Sequence, residues 1–474
     1  MSDISTIQKN SLWLFLGKLF LLLIGIFLNA WIARYLNPEF YGFYSLALNF
    51  VAFFSVFASL GLDVLMIREL SKNWTLSSKY LSIIIRLKIL LSFFSILLAI
   101  ILVFLLPYSH SLKLAISIFS LSILFTSLDT TFITVFLIKS INRITVIGDV
   151  ISKSFYAVLV ILFISIGGGY LWLIVASLFA LLVKLIYDFW YFTKYVHLNL
   201  NYFDKKDLIY IIKKSFPLFI ISILSLIYFR IDIIMLSFLA DINSVGFYSA
   251  SFKLSEFFHL IPGILFSAML PFLVTYSEKN KSRLIKSINL SLKYLSILSF
   301  PIVIGTVILS SEIINLIYGS SYTTSSISLS LLISTIIFVF FNYSFANGLF
   351  VLNNEKYITK VALSAVLFNI ITNFIFIPLY SYNGAALTTL FTEILIFLFY
   401  FRKLSKSFKL SFIFLPKLIF CTILMGILTL FLDRLNLFFV FNIIFSAVFY
   451  MVFIFVLKII DKEDMSRFFY IFKR

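Results

Sequence analysis

Apolar residues run along this chain in long blocks separated by short polar turns. Most blocks reach the roughly 18–20 residues a helix needs to cross the hydrocarbon core of a bilayer. They predict about fourteen spans: 11–33, 41–62, 81–106, 112–138, 144–166, 170–193, 215–240, 245–274, 288–310, 326–352, 360–379, 383–401, 412–432 and 436–457. The longest interruption, HLNLNYFDKKDLIYIIKK, lies between spans six and seven. There Phe203, Leu208, Ile211 and Ile212 share a face flanked by Lys205, Lys206, Lys213 and Lys214. That pattern suits an amphipathic helix lying on the inner leaflet, with a solvated basic linker as the plainer reading.

Composition sharpens this picture. The 474 residues are 62% hydrophobic and 12% charged, which no soluble domain requires. The first apolar run is full length and has no small-residue cleavage site, so no cleavable signal peptide is expected. Cys421 is the single cysteine, which excludes an intramolecular disulfide and a thiolate metal cluster. No catalytic constellation, metal site or cofactor motif stands out, and without a P-loop intrinsic ATP hydrolysis is not expected. Nor is there the large outer loop of a polymerase or the cytoplasmic domain of a glycosyltransferase.

The net charge of +18 invites a nucleic-acid reading. Its distribution argues against one. With the N-terminus in the cytoplasm, the outer loops hold Arg34, Lys113 and Arg434. Lys18, Lys153, Lys184, Arg230 and Lys253 lie inside spans. All other Lys and Arg, Arg86 and Lys88 among them, fall in cytoplasmic segments or adjoining helix ends. This asymmetry predicts both termini in the cytoplasm and a basic face toward anionic headgroups.

The two halves echo each other. Gly42-Phe43-Tyr44-Ser45 recurs as Gly246-Phe247-Tyr248-Ser249, each copy after a span and a short outer turn. Gly167-Gly168-Gly169 and Tyr382-Asn383-Gly384 occupy matching places between spans five and six and between eleven and twelve. The expected organisation is an N-terminal six-helix bundle (1–196), an amphipathic cytoplasmic linker (197–214) and a C-terminal six-helix bundle (215–405). Two extra spans with a basic tail (406–474) follow.

ARYLNPEFYGFYSLAL, GLDVLMIREL, YFRIDIIMLSFLADINSVGFYSASFKLSE and NGLFVLNNEKYITKVALSAVLFNIITNFIFIPLYSYNGAALTT, in this order and spacing, resemble the polysaccharide-export flippases. These Wzx-type proteins belong to the MOP superfamily, with the lipid II flippases and the MATE drug exporters. The resemblance implies an all-α membrane protein with two bundles around a central polar cavity. It implies alternating access that carries an undecaprenyl-diphosphate-linked oligosaccharide from the inner to the outer leaflet of a bacterial plasma membrane. A polysaccharide polymerase and other assembly proteins would be its further partners. A MATE-like, cation-coupled drug antiporter on the same fold is the competing function.

Charges at hydrocarbon depth are the candidate functional residues, because each costs roughly 2.5–3.5 kcal/mol at the bilayer centre unless it faces water or another polar group. A diphosphate with sugars cannot cross hydrocarbon unless fixed polar groups replace its hydration. Lys18, with Gly25 and Asn29 on its face, reads as a phosphate-binding wall or as a lysine that snorkels or pairs within the bundle. Arg230 offers phosphate oxygens a fork and Asp232 is read with it as a substrate-binding residue, whereas a structural Arg–Asp bridge to other helices is the plainer reading. Two residues apart, Arg230 and Asp232 point to different sides of one helix. Lys253 and Glu256 are read as cavity-facing, or as a satisfied intrahelical pair. Asp149 with Lys153, and Lys184 with Asp188, are spaced for such pairs. Asp129 and Glu393 lack a partner nearby in sequence; each either binds the H⁺ or Na⁺ that drives the cycle or meets a lysine on another helix. His259 reads as a buried structural histidine before a proton switch.

Overall fold

The computed structural model describes residues 4–460 except 197, 199–201, 203, 264, 267, 268, 270–272, 274, 275, 277–280, 407, 408 and 436–438. For 4–16, 18–20, 22 and 281 it describes the backbone alone. Among the described residues the structure is helix and turn, without strand. In chain order the helices are α1 (Ile4–Ser59), α2 (Leu62–Leu70), α3 (Ser77–Leu105), α4 (His110–Ser120) and α5 (Ser122–Ile138). Then come α6 (Asn142–Ser165), α7 (Tyr170–Tyr195), α8 (Lys205–Leu239), α9 (Ile242–Phe258) and α10 (Lys281–Ile308). The last are α11 (Ser310–Tyr318), α12 (Ser326–Val351), α13 (Glu355–Ser405), α14 (Leu415–Arg434) and α15 (Phe439–Val456).

Among the described residues, eleven helical stretches are long and apolar enough to cross a membrane. Two of them, α1 and α13, fold back at a kink and hold two predicted spans each. With these four limbs and the slightly short α9, the fourteen expected spans are accounted for. The protein is a multi-pass, all-α membrane protein.

The kinks have identifiable causes. In α1, Asn37 has φ 60° and ψ 170°, and Pro38 follows it. Proline disfavours helical geometry at the residue before it, and asparagine tolerates positive φ better than most. In α13 the break is at Ser381, φ 52° and ψ −134°, after Pro378. There a Cβ on Gly384 would overlap the Phe376 carbonyl oxygen, so the chain can double back only on glycine. The predicted span 112–138 is built from α4 and α5, which meet at Leu121.

By internal contacts the chain divides into two compact units, Met1–Ser249 and Ala250–Arg474. In the first, α1 packs against α3, α6 and α8, and α5 and α6 both pack against α7. The polar positions at 205–214 form the first turns of α8, capped by the Asp204 carboxylate, which accepts from the Lys206 amide at 2.8 Å. Leu208 and Ile211 face the protein itself and join the cluster of Leu81, Ile85, Phe136 and Phe192. Of the apolar stripe read as a membrane face, Leu208 and Ile211 cover the bundle and Phe203 lies outside the described residues, while Lys205, Lys206, Lys213 and Lys214 stay exposed.

The repeated GFYS motifs meet inside the first unit. A Cβ on Gly42 would overlap the Ile242 carbonyl oxygen, and one on Gly246 would overlap that of Pro38. The glycines therefore permit backbone-to-backbone contact between α1 and the start of α9. The tyrosines are also anchored: Tyr44 shares a 2.7 Å hydrogen bond with Tyr156 of α6, and Tyr248 donates to Asp232 of α8. In the second unit α12 packs on α10 and α13, and α14 packs on α10 and α15 around Ile297, Leu418, Met425 and Tyr450.

Candidate functional site

The densest buried chemistry lies in the first unit, where α5, α6 and α7 each bring acids to one ammonium group. Lys184 Nζ of α7 lies 2.5 Å from Asp129 Oδ2 of α5, 3.3 Å from Asp149 Oδ1 of α6 and 3.3 Å from Asp188 Oδ2 one turn along α7. Asp188 is wholly enclosed, and Asp129 nearly so. Gly148 makes room: a Cβ there would stand 2.9 Å from Asp188 Oδ1 and 3.0 Å from the Tyr187 ring. The i,i+4 pair read from the sequence exists, but it is one edge of a four-residue cluster. Asp129, for which the sequence left ion binding and lysine pairing open, has a lysine on another helix.

A second ion pair lies nearby. Lys88 Nζ of α3 is 2.5 Å from Asp63 Oδ1 of α2, and donates to the Ser127 carbonyl at 2.9 Å and Thr130 Oγ1 at 3.0 Å. Its three donors are thus matched, as a buried ammonium requires. The sequence reading placed Lys88 with the cytoplasmic cations; the structure encloses it completely. The missed signal was a lysine inside the apolar run SIIIRLKILLSFF, masked by Arg86 two residues before it.

Arg230 and Asp232 take different partners, as their spacing predicts. Arg230 Nη1 donates to Asn49 Oδ1 at 3.1 Å. Asn49 donates its own amide to the Ser45 carbonyl at 2.8 Å, which turns its oxygen toward the guanidinium. Asp232 is buried and accepts the Tyr248 hydroxyl at 2.6 Å. Asn29 closes on its own helix, donating to Gly25 O at 2.7 Å. Lys18 lies in α1, and its side chain is outside the described residues.

In the second unit Lys253 and Glu256 form the i,i+3 pair at 2.8 Å, with side chains 40% and 30% exposed. His259 is half-buried, with Nε2 enclosed and without a hydrogen-bond partner. Glu393 is buried in α13, and its partner across the bundle is an amide: Asn342 of α12 donates to Oε2 at 2.7 Å and to the backbone carbonyl at 3.1 Å. Asn342 was not foreseen from the sequence, where nothing distinguishes it from other asparagines in apolar runs. Among the described residues no three His, Cys, Asp or Glu are grouped to hold a metal ion.

Comparison with known proteins places this geometry. A family model described as "Polysaccharide biosynthesis protein" matches residues 7–277. A curated relative, "Probable flippase AglR" of Haloferax volcanii, is 24% identical over 184 residues, 38% of each chain. The match thus spans little more than a third of that relative's length. Among solved structures, "Lipid II flippase MurJ, inward closed conformation" superposes with a TM-score of 0.76 at 21% identity, covering 93% of this chain and 98% of its own. An inward-facing multidrug resistance MATE family transporter of the MOP superfamily gives 0.58 at 14% identity, covering 86% and 96%. At these identities the structures establish a shared fold.

Proposed function

We propose, from the premise that the chain belongs to the polysaccharide biosynthesis protein family, that it flips a lipid-linked oligosaccharide across the membrane. The cargo is an undecaprenyl-diphosphate-linked repeat unit, and the direction is inner to outer leaflet of a bacterial plasma membrane, with both termini cytoplasmic. The observation that carries this reading is Arg230: a guanidinium in the apolar helix α8, oriented by an asparagine oxygen from α1. A guanidinium presents a planar fork that matches the oxygens of a diphosphate. The flippase title of the relative AglR supports the same reading.

In this scheme Arg230 binds the diphosphate with Lys18, while Asn29 and the half-exposed Lys253 and Glu256 contact the head group. Asp232, held by Tyr248, positions α8 against the GFYS turn. The polyprenyl tail stays in lipid while the head crosses by alternating access, the two bundles at 1–196 and 215–405 rocking about the bound head. A cation gradient drives the cycle, with the buried acids Asp129 and Glu393 as the groups through which H⁺ or Na⁺ acts.

The test is reconstitution in vesicles with a labelled undecaprenyl-diphosphate oligosaccharide and a lectin or enzyme that reads the outer leaflet. Wild-type protein should expose the label, and Arg230→Ala should lose at least about tenfold in rate at unchanged membrane level. That change corresponds to about 1.4 kcal/mol in the transition state. Cation-driven dye efflux with no movement of the lipid-linked sugar would replace this reading with a drug antiporter.

A further inference from the structure

In the first unit, acids outnumber the ammonium groups they touch. Lys88 and Asp63 pair one to one. The carboxylates of Asp129, Asp149 and Asp188 all converge on the single ammonium of Lys184, with Lys153 acting on the more exposed Asp149 from one turn along α6. Two enclosed carboxylates, Asp129 and Asp188, thus share one cation in a bundle surrounded by hydrocarbon, where buried charge is costly.

Geometry shows how poorly the two are served. Asp188 has no exposed surface, and neither of its oxygens accepts a hydrogen bond. Its contact with Lys184 is at 3.3 Å, and that ammonium is drawn closer to Asp129 at 2.5 Å. Asp129 Oδ1 is likewise buried without a donor. Both carboxyl groups are gathered on the same ammonium. Carboxylates held close together away from water repel, and a single proton relieves that repulsion and supplies the donor their buried oxygens lack.

We infer that Asp129 and Asp188 share one exchangeable proton, making the cluster around Lys184 a proton-binding site. A proton fits where a metal ion does not, because the point on which the three acids converge is occupied by Lys184 Nζ. The groups facing the pair are few. From α6 come Asp149 and Lys153, with Arg143 and Tyr187 farther along the α6–α7 seam; from α3 comes Lys88, behind Ser127 and Thr130. Asp149, with 37% of its side chain exposed, is the entry point. Lys153 lies toward α1, 3.8 Å from where a Cβ on Gly25 would stand. Loading adds one proton to one of the two carboxylates. Unloading restores its negative charge and loosens α7 from α5. The site follows from the geometry, but its use as the driving ion rests on the flippase reading.

Infrared spectroscopy of the purified protein in lipid, in a Glu393→Gln background, tests the proton without transport. A protonated-carboxyl band should be present at neutral pH, disappear in Asp188→Asn and in Asp129→Asn, and shift rather than vanish in Asp188→Glu. No such band, or one unchanged in every variant, overturns the inference. In vesicles, a pH gradient should accelerate flipping by wild-type protein, and Asp188→Asn should flip without responding to it. Acceleration by a sodium gradient alone overturns the coupling. An intact band with no flipping of lipid-linked sugar supports the proton site and refutes the flippase reading.

Discussion

The two units solve the same problem, burying polar groups in a membrane bundle, with different chemistry. The first holds ions: Lys88 with Asp63, and Lys184 among three aspartates. The described interior of the second is rich in neutral contacts. Ser251 bonds Ser328 at 2.8 Å, and Thr429, Asn442 and Ser446 link α14 to α15, while the buried acid Glu393 takes the amide of Asn342. Beside these lies an apolar cavity of about 320 Å³ lined by Pro301, Gly305, Met425 and Tyr450. Neutral hydrogen bonds hold helices together at little desolvation cost and at any pH. Buried ions cost more, and change with every proton gained or lost. Among the described residues the first unit therefore holds more buried groups whose charge a proton changes, while the second holds Glu393.

The largest test removes the ammonium. Lys184→Met leaves the enclosed Asp129 and Asp188 and the partly exposed Asp149 without their shared cation and should cost about 3–5 kcal/mol, read as thermal unfolding in detergent. Because lowering the pH neutralises those acids, the variant should recover stability as pH falls. A loss independent of pH would mean that Lys184 matters only for packing. Lys88→Met should cost a similar or slightly smaller amount, and Lys88→Met with Asp63→Leu should recover much of it. A double variant no better than the single would deny that the pair is the reason. Next come the glycines, one in each unit. Gly246→Ala and Gly384→Ala each force a methyl into a carbonyl oxygen and should cost about 1–3 kcal/mol, alike in both units and unaffected by pH. A pH-dependent loss in either would blur the distinction between the units. The smallest effect should come from Glu393→Gln, within about 1 kcal/mol, since Asn342 keeps an oxygen to serve. A large shift would show that the second unit also carries a charge that matters.

Much of the fold was legible in the sequence. The apolar blocks fixed fourteen crossings, and the turns at Pro38 and Asn383-Gly384 are where the two longest helices double back. The repeated GFYS was visible as an echo, but that Gly42 and Gly246 admit backbone carbonyls side by side was not. The site was less legible. Asp232, Glu393 and Arg230 stand out because an ionisable residue in an apolar run is conspicuous wherever its helix sits. Their partners do not, since Asn49, Asn342 and Tyr248 belong to residue types common in such runs.

The sequence alone determined that the chain crosses a membrane many times, and that certain charges must be enclosed. Length and hydropathy act locally, and each block of apolar residues meets the bilayer on its own. Only the tertiary structure decided which charges share an enclosure. Lys184 has one acid within reach on its own helix, and the other two arrive because α5 and α6 pack against α7. Charge balance is a property of that packing: four side chains from three helices fix it together, and no single stretch of chain carries the sum.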